Sequence, residues 1–179
     1  MEIIEEPLPG LLVIQPDVYK DERGFFMETW QQKRYNNIGI EEEFVQDNWS
    51  RSTKGVLRGL HFQKENPQGK LVSIRQGKVF DVAVDIRPES DTFGEWYAHE
   101  LSEENHLQIY VPPGFAHGFC VLSELADFNY KCTEYYCPED EYCLKWNDEY
   151  VDINWPLKSK ELVISEKDIN GQSFQSISK

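Results

Sequence analysis

This chain of 179 residues has no long hydrophobic run. Its apolar segments are all much shorter than the length needed to cross a membrane. The N-terminus places acidic residues around Ile3 and Ile4 and lacks the basic start and apolar core of a secretion signal. We therefore expect a cytoplasmic protein. Internal repeats and low-complexity linkers are missing as well, so we expect a single domain over residues 1–179.

Basic residues are scarce in this chain. Its 18 Lys and Arg stand against 32 Asp and Glu, which gives a net charge of −14. Such a surplus repels the phosphate backbone of nucleic acids and the surface of anionic membranes. Neither is expected as a partner, and a small anionic ligand would need a local cluster of Arg and Lys to hold it.

Cysteine is also rare, with four residues confined to one short region and no Cys-x-x-Cys pair among them. The chain is long enough to fold without disulfides, so we expect reduced thiols. Cys120 lies in an apolar run and is predicted to be a core residue. The spacing of the cysteines relative to His117 does not favour a zinc site.

Most of the sequence consists of short segments in which apolar and polar residues alternate. Residues 80–87 place Phe80, Val82 and Val84 on one face and more polar side chains on the other, as in a half-buried antiparallel strand. Many such segments separated by Gly, Pro, Asn and Asp predict an all-β jelly-roll-like sandwich or barrel. Further strands are predicted at residues 11–14, 55–63, 71–76, 107–111, 118–122 and 126–136.

Helical signals are few. Residues 29–36 predict a short helix, and Ser102 begins a capped turn. Ser165 and Asp168 have the spacing of a capping box that opens a last helical turn. The polar tail from Gly171 onward is predicted to fray. Open sheet edges make a homodimer a reasonable expectation.

His61 is the strongest candidate for a base that works near neutral pH. Asp168 either orients the imidazole or only caps the last helix, and the sequence leaves both roles open. His117 follows a Pro-rich turn and is either a hydrogen-bond donor in a cavity or a buried structural group.

Three other side chains complete a candidate cavity. Tyr130 and Tyr136 are six positions apart and share a face of a regular strand. Each tyrosine either packs as an ordinary strand residue or, if it lies opposite a histidine, can return a proton to the other face of a substrate. Lys70 begins a strand, where its ammonium either points inward and stabilises a developing enolate oxygen or is simply solvated at the strand end.

Arg23 and Arg58 have the chemistry to grip a diphosphate through forked hydrogen bonds. In an unbroken strand, however, Arg58 and His61 face opposite sides, because their separation is odd. We therefore expect either a bulge at Gly59, which lies between them, or different roles for the two side chains.

From about residue 21 to residue 168 the chain resembles the dTDP-4-dehydrorhamnose 3,5-epimerase family. The resemblance rests on many separated motifs that occur in order along the chain. They are Asp21-Glu22-Arg23-Gly24-Phe25-Phe26, Gln46-Asp47-Asn48, Val56-Leu57-Arg58-Gly59-Leu60-His61-Phe62-Gln63, Gln68-Gly69-Lys70-Leu71-Val72, Phe80-Asp81-Val82-Ala83-Val84-Asp85-Ile86-Arg87, Pro113-Gly114-Phe115-Ala116-His117-Gly118-Phe119 and Trp146-Asn147-Asp148.

This resemblance implies a cupin-like jelly roll, homodimeric and free of cofactors, that inverts the carbons on both sides of a ketone in dTDP-4-dehydro-6-deoxyglucose. It implies that His61 is the base, Asp168 its partner and Tyr130 the opposing acid. Lys70 and His117 then lie around the ketone and sugar. Substrate-binding positions are implied at Arg23, Glu28, Gln46, Asn48, Arg58, Tyr136, Glu141 and Lys167, with Arg23 and Glu28 reaching into the neighbouring subunit and the N-terminal arm in the dimer contact.

No metal is expected from this resemblance. Metal-binding cupins carry a His-x-His pair, whereas His61 is followed by Phe62 and Gln63. Two alternatives remain open at the level of sequence. One is an epimerase that inverts a single carbon of a related dTDP-ketosugar, and the other is a sugar-binding jelly roll without catalysis.

Overall fold

The computed structural model describes residues 1–177, and strands account for most of its regular structure. Segments rich in valine, isoleucine and aromatic residues alternate with turns at glycine and proline, which favours short strands. The strands are β1 Glu2–Leu8, β2 Leu11–Gln15, β3 Val18–Asp21, β4 Gly24–Met27, β5 Gln46–Thr53, β6 Val56–Gln63, β7 Lys70–Gln76, β8 Lys78–Asp85, β9 Trp96–Ser102, β10 Gln108–Val111, β11 Phe115–Val121, β12 Leu125–Cys132, β13 Glu141–Cys143 and β14 Val163–Ile164.

Two large sheets make up the fold. One has the order β1-β2-β10-β7-β12-β5, and the other has the order β13-β6-β11-β8-β9, with β14 pairing in parallel with β6. Every other strand pair is antiparallel, and β3 and β4 form a separate hairpin. This all-β arrangement of facing antiparallel sheets is the predicted cupin-like jelly roll.

The main core lies between the two sheets and includes Val72, Ile109, Phe119 and Phe128. Each sheet is also covered on its outer face, one by the segment around Tyr35 and the other by the C-terminal segment. The prediction of a half-buried strand at residues 80–87 is therefore wrong, because β8 is buried on both faces.

Seven predicted strands are present as β2, β6, β7, β8, β10, β11 and β12, with ends shifted by up to four residues. The largest difference is at β12, which ends at Cys132 and not at Tyr136. The chain turns away after Cys132, where Thr133 Oγ1 accepts a hydrogen bond from the Gly69 N–H at 2.7 Å. Tyr136 thus lies outside the strand that carries Tyr130.

The helices are short. They are α1 Gln32–Asn36, α2 Glu166–Ile169 and α3 Phe174–Ile177, with two 3-10 turns at Pro138–Asp140 and Ser159–Glu161. Within residues 1–177, no helix combines the length and the hydrophobicity needed to span a membrane.

The C-terminal tail was predicted to fray from Gly171 onward, but the structure shows ordered packing at Phe174. Phe174 is 3% exposed and packs on Phe93 and Tyr150, and the Phe174 N–H donates to Asp148 Oδ2 at 2.9 Å. A single buried aromatic residue therefore anchors a segment that is otherwise polar. The last two residues of the predicted tail, 178–179, lie outside the described residues.

Candidate active site

A cavity of about 370 Å³ opens between the two sheets at one end of the sandwich. Its walls combine ionisable and aromatic side chains, in contrast to the apolar core beside it. Such a mixture of apolar walls and a few convergent polar groups is typical of a small-molecule site. The lining residues are Gln46, Asn48, Ser50, Arg58, His61, Gln68, Lys70, His117, Gly118, Phe119, Phe128, Tyr130, Tyr136 and Glu141.

A bulge in β6 brings Arg58 and His61 to the same cavity. His61 pairs with His117 of β11, but Arg58 pairs with Phe119, so β6 has one more residue than β11 between the two pairs. Gly59 lies at this point with φ of 122°, and a Cβ there would come within 2.6 Å of the Gly118 Cα. The predicted bulge at Gly59 is confirmed, since only glycine fits this conformation and approach.

His61 is held by Asp168, which α2 delivers to the cavity wall. His61 Nε2 donates to Asp168 Oδ1 at 2.7 Å, and the second carboxylate oxygen accepts the Gly59 N–H at 3.3 Å. The imidazole is 29% exposed and the carboxylate 5%. A neutral imidazole that donates through Nε2 keeps the lone pair of Nδ1 for use as a base.

Asp168 also takes part in the predicted helix cap. Its backbone N–H donates to the Ser165 side chain at 3.2 Å, so the residue both closes the first turn of α2 and presents its carboxylate to His61. Burial acts to raise the pKa of Asp168, but the hydrogen bond from His61 and those from Gly59 and Ser165 lower it overall. The two roles left open by the sequence are therefore compatible.

A second histidine–aspartate pair lies deeper in the cavity. His117 Nε2 is 3.0 Å from both carboxylate oxygens of Asp81, and the two side chains are 5% and 1% exposed. Sequence reasoning missed Asp81. The alternation in residues 80–87 places Asp81 on the more polar face, opposite Phe80, and only the structure shows that this face lines the space between the sheets.

Lys70 begins β7 and is 8% exposed, so its ammonium is almost fully removed from solvent. Burial lowers the pKa of Lys70 below its ordinary value, while the charges of Cys132, Asp81 and Glu141 act in the opposite direction. A cation fixed in this position can stabilise negative charge that develops on a substrate oxygen.

Tyr130 extends into the same cavity from β12. This strand belongs to the sheet that faces the one carrying His61. Its ring packs on Phe128 at 5.8 Å between centroids. Burial, with smaller effects of Cys132 and Glu141, raises the pKa of Tyr130 to about 12. The phenol therefore keeps its proton near neutral pH and can act as a proton donor.

A network of hydrogen bonds between polar side chains surrounds the entrance of the cavity. Tyr136 links two of its members, because its N–H donates to Gln46 Oε1 at 2.9 Å and its hydroxyl donates to Glu141 Oε2 at 2.6 Å. Gln46 in turn donates to Asn48 Oδ1 at 3.0 Å. Lys167 donates to Glu141, although Lys167 is not among the lining residues.

Burial acts to raise the pKa of Glu141, but the hydrogen bonds from Lys167 and Tyr136 lower it overall. Arg58, on the same rim, donates to Ser52 Oγ at 3.1 Å. The entrance thus carries two cations, Arg58 and Lys167, together with the exposed ring of Tyr136.

Four predicted site residues do not line the cavity. Asp168 and Lys167 contact it through His61 and Glu141, whereas Arg23 and Glu28 lie elsewhere on this chain. Arg23 lies at the tip of the β3–β4 hairpin, is 84% exposed and pairs with Asp21 at 2.5 Å. Glu28 follows the hairpin and lies 3.4 Å from Arg34. Neither residue lines the cavity that contains His61.

A family model described as dTDP-4-dehydrorhamnose 3,5-epimerase matches residues 5–176 of the sequence. The chain belongs to this family. The family assignment made from the separated motifs is therefore confirmed, and it extends over nearly the whole chain.

Individual relatives agree with the family assignment. A dTDP-4-dehydrorhamnose 3,5-epimerase of Methanothermobacter thermautotrophicus is 53% identical over 93% of this chain and 91% of its own length. A crystal structure of the Legionella pneumophila dTDP-6-deoxy-D-glucose-3,5-epimerase in complex with dTDP-4-keto-L-rhamnose has a TM-score of 0.94 and 52% identity, covering 97% of this chain and 93% of that one.

A solved structure with lower sequence identity has the same fold as this chain. It is a 3'-monoepimerase from Streptomyces bikiniensis in complex with dTDP-quinovose, with a TM-score of 0.88 and 26% identity over 95% of this chain and 86% of that one. The same fold therefore carries enzymes described as inverting one position and enzymes described as inverting two.

Cys143 also lies beside the candidate base, and sequence reasoning did not connect the two. It pairs with His61 in the β13–β6 ladder, and its Sγ is 3.9 Å from Asp168 Oδ1. Burial and the nearby Asp168 raise the pKa of Cys143 to about 12, so the thiol keeps its proton. Only the pairing of β13 with β6 reveals this neighbour, because the two positions are far apart in sequence.

Proposed function

We propose that this chain is a dTDP-4-dehydrorhamnose 3,5-epimerase. It converts dTDP-4-dehydro-6-deoxy-D-glucose to dTDP-4-dehydro-L-rhamnose by inverting C3 and C5, as an isomerase that needs no cofactor. The observation that carries the proposal is the His61–Asp168 pair at 2.7 Å, in a cavity whose opposite wall holds Tyr130.

A base and an acid on opposite walls suit an inversion. The ketone at C4 acidifies the C–H bonds on both sides, so a base can remove either proton to give an enolate. His61 takes the proton from one face through Nδ1 and becomes an imidazolium that Asp168 stabilises. Tyr130 then delivers a proton to the other face, because it extends from the opposite sheet.

The enolate needs a positive partner during this exchange. Lys70 is buried at the cavity wall and supplies a charge that does not have to reorganise in the transition state. His117, held by Asp81, lies beside His61 in the strand ladder and provides a further polar group for the sugar. Together these groups make proton removal next to the ketone possible near neutral pH.

The cavity entrance supports binding of the dTDP portion. Arg58 and Lys167 supply positive charge for a diphosphate, in a chain whose overall charge of −14 repels anions. Tyr136 offers an exposed ring for stacking on the thymine base. Gln46, Asn48 and Glu141 supply hydrogen-bonding groups around it.

We also propose a cytoplasmic homodimer in which each chain acts as one domain. Arg23 and Glu28 lie outside the cavity of their own chain, as expected for residues that complete the site of a partner. The hairpin that carries Arg23 exposes Phe25 and Phe26 at 58% and 69%, which is typical of a surface that becomes covered on association.

Solvent exchange tests the reaction directly. The protein is incubated with dTDP-4-dehydro-6-deoxyglucose in deuterated water, and the positions of deuterium are read by NMR. Because each inversion removes a carbon-bound proton and returns one from solvent-exchanged groups, we expect deuterium at both C3 and C5. A reaction without protein gives the background of spontaneous exchange.

Deuterium at only one carbon would replace the proposal with a single-position epimerase, an activity described for the Streptomyces bikiniensis structure of the same fold. Exchange no faster than the background, combined with binding of dTDP, would indicate a sugar-nucleotide-binding jelly roll without catalysis.

A further inference from the structure

We propose that His61, Cys143 and Asp168 form a binding site for Zn²⁺ and that zinc bound there inhibits the enzyme. The ligand atoms of these three side chains all lie within 4.8 Å of one another. They come from three different elements, β6, β13 and α2. The site lies behind the imidazole, on the side that faces Asp168.

The donor set fits zinc. Imidazole nitrogen, thiolate sulfur and carboxylate oxygen are the three ligand types that zinc uses in proteins. Zn–N and Zn–O bonds of about 2.0 Å in a tetrahedral site place two such ligands roughly 3.3 Å apart. His61 Nε2 and Asp168 Oδ1 are 2.7 Å apart, so only a small separation of the two side chains is needed to admit the metal.

The three ligands are already held in place. Cys143 and His61 are direct partners in the β13–β6 ladder, which fixes their backbones side by side. The Gly59 N–H donates to Asp168 Oδ2, so the carboxylate keeps a supporting hydrogen bond while Oδ1 faces the other two ligands. Cys143 and Asp168 are 7% and 3% exposed, which limits competition from water.

Zinc binding would change the tautomer of His61. The thiol of Cys143 releases its proton to solvent as the S–Zn bond forms, and the Nε2 proton of His61 moves to Nδ1 as the N–Zn bond forms. Nδ1 then carries a hydrogen and has no free lone pair, so the imidazole can no longer accept a proton from substrate. The cavity itself stays open to the nucleotide sugar.

Inhibition of this kind lowers kcat and leaves nucleotide binding unchanged. That part of the inference rests on the proposed role of His61 as the base, whereas metal binding by the three side chains does not depend on it.

Co²⁺ is a suitable probe, because a cobalt–thiolate bond gives a strong charge-transfer band in the near ultraviolet that nitrogen and oxygen ligands do not produce. We expect the full chain to bind one equivalent of Co²⁺ with this band. Zn²⁺ should displace the cobalt, and turnover should fall at least about tenfold and recover when a chelator is added.

The decisive variants are Cys143→Ala and Cys143→Ser. Both should lose the thiolate band and the inhibition, where inhibition is the ratio of each variant's turnover with Zn²⁺ to its own turnover without metal. Two variants are used because alanine leaves a small cavity at a buried position. Cys137→Ser, at a partly exposed thiol near Glu139, is the matched control and should behave like the unmodified protein.

Wild-type protein without the thiolate band would overturn the site, as would equal inhibition of wild type and both Cys143 variants. A thiolate band that depends on Cys143, together with unchanged turnover, would overturn the inhibitory role. The isotope experiment without metal tests the proposed function separately, so the two failures are distinguishable.

Discussion

Two histidine–aspartate pairs lie side by side in this protein, and they differ in access and in backbone support. The His61–Asp168 pair is at the cavity surface, with the imidazole 29% exposed and its partner supplied by a short C-terminal helix. The His117–Asp81 pair is between two central strands, 5% and 1% exposed.

The difference in exposure indicates which of the two pairs can exchange protons with a substrate. His61 lines the cavity with a partly exposed imidazole and donates to Asp168 through Nε2, so its other ring nitrogen is free to accept a proton from a bound substrate. His117 is enclosed with a carboxylate that contacts it through both oxygens, so a change of its charge would have to occur in a buried environment. We therefore expect loss of the first pair to affect mainly turnover, and loss of the second to affect mainly stability.

The largest expected effect is on turnover. Replacing His61 by asparagine removes the base but keeps a polar side chain, and we expect kcat to fall about 1,000-fold. Binding of dTDP, measured by calorimetry, should remain within about twofold of the wild-type value, because the entrance residues are unchanged.

His99→Asn is the matched control for this substitution. His99 is a partly exposed histidine on β9 that contacts Tyr97 and does not line the cavity. Its replacement should leave kcat unchanged. Turnover of the His61 variant close to that of the His99 variant would contradict the comparison.

The next effect is on stability. His117→Leu leaves the Asp81 carboxylate buried without its partner, and we expect a loss of about 3 kcal/mol in the free energy of unfolding, measured with urea. His61→Leu should cost less, about 1 kcal/mol, because the His61 imidazole is partly exposed and the buried Asp168 carboxylate keeps its hydrogen bond from the Gly59 N–H.

Removing both members of the deeper pair sharpens the comparison. The double variant Asp81→Leu, His117→Leu no longer buries an unpaired charge, so it should be more stable than His117→Leu alone. Equal losses for His117→Leu and His61→Leu would mean that burial does not separate the two pairs.

The smallest effect is a pH dependence of stability at the His61–Asp168 pair. The pKa of Asp168 in the folded protein is below its ordinary value of 3.8. A carboxylate with a lowered pKa contributes stability above the unfolded value and loses it as pH falls towards the folded value. The unfolding free energy of the wild type should therefore fall more steeply between about pH 5 and pH 3 than that of Asp168→Asn. Parallel curves for the two proteins would contradict this assignment.

Much of the fold was predictable because alternation of side chains is a local property. Seven strands and the all-β class followed from the spacing of side chains and turn residues, and the spacing of Arg58 and His61 made a bulge at Gly59 one of two expectations. The strands that were missed include β5 and β9, which carry many polar residues or lack a regular alternation. The outer layer over β8 was also missed, since no local pattern reports which distant segment covers a sheet.

The sequence predicted which residues belong to the candidate site, but not which of their side chains contact one another. The motifs selected His61 and Lys70, the predicted strand at residues 126–136 and the family resemblance selected Tyr130, and the structure brings all three to one cavity. The pairing of His117 with Asp81 and the position of Cys143 beside His61 required the strand order. Arg23 and Glu28 remain predictions about a second chain.

The sequence by itself determined the all-β class, the residues able to move protons and the family to which the chain belongs, because these depend on residue identity and local spacing. Only the tertiary structure decided which histidine is accessible, which carboxylate holds it and which thiol lies beside it. Those properties arise from antiparallel pairing and burial, which join residues far apart in the chain.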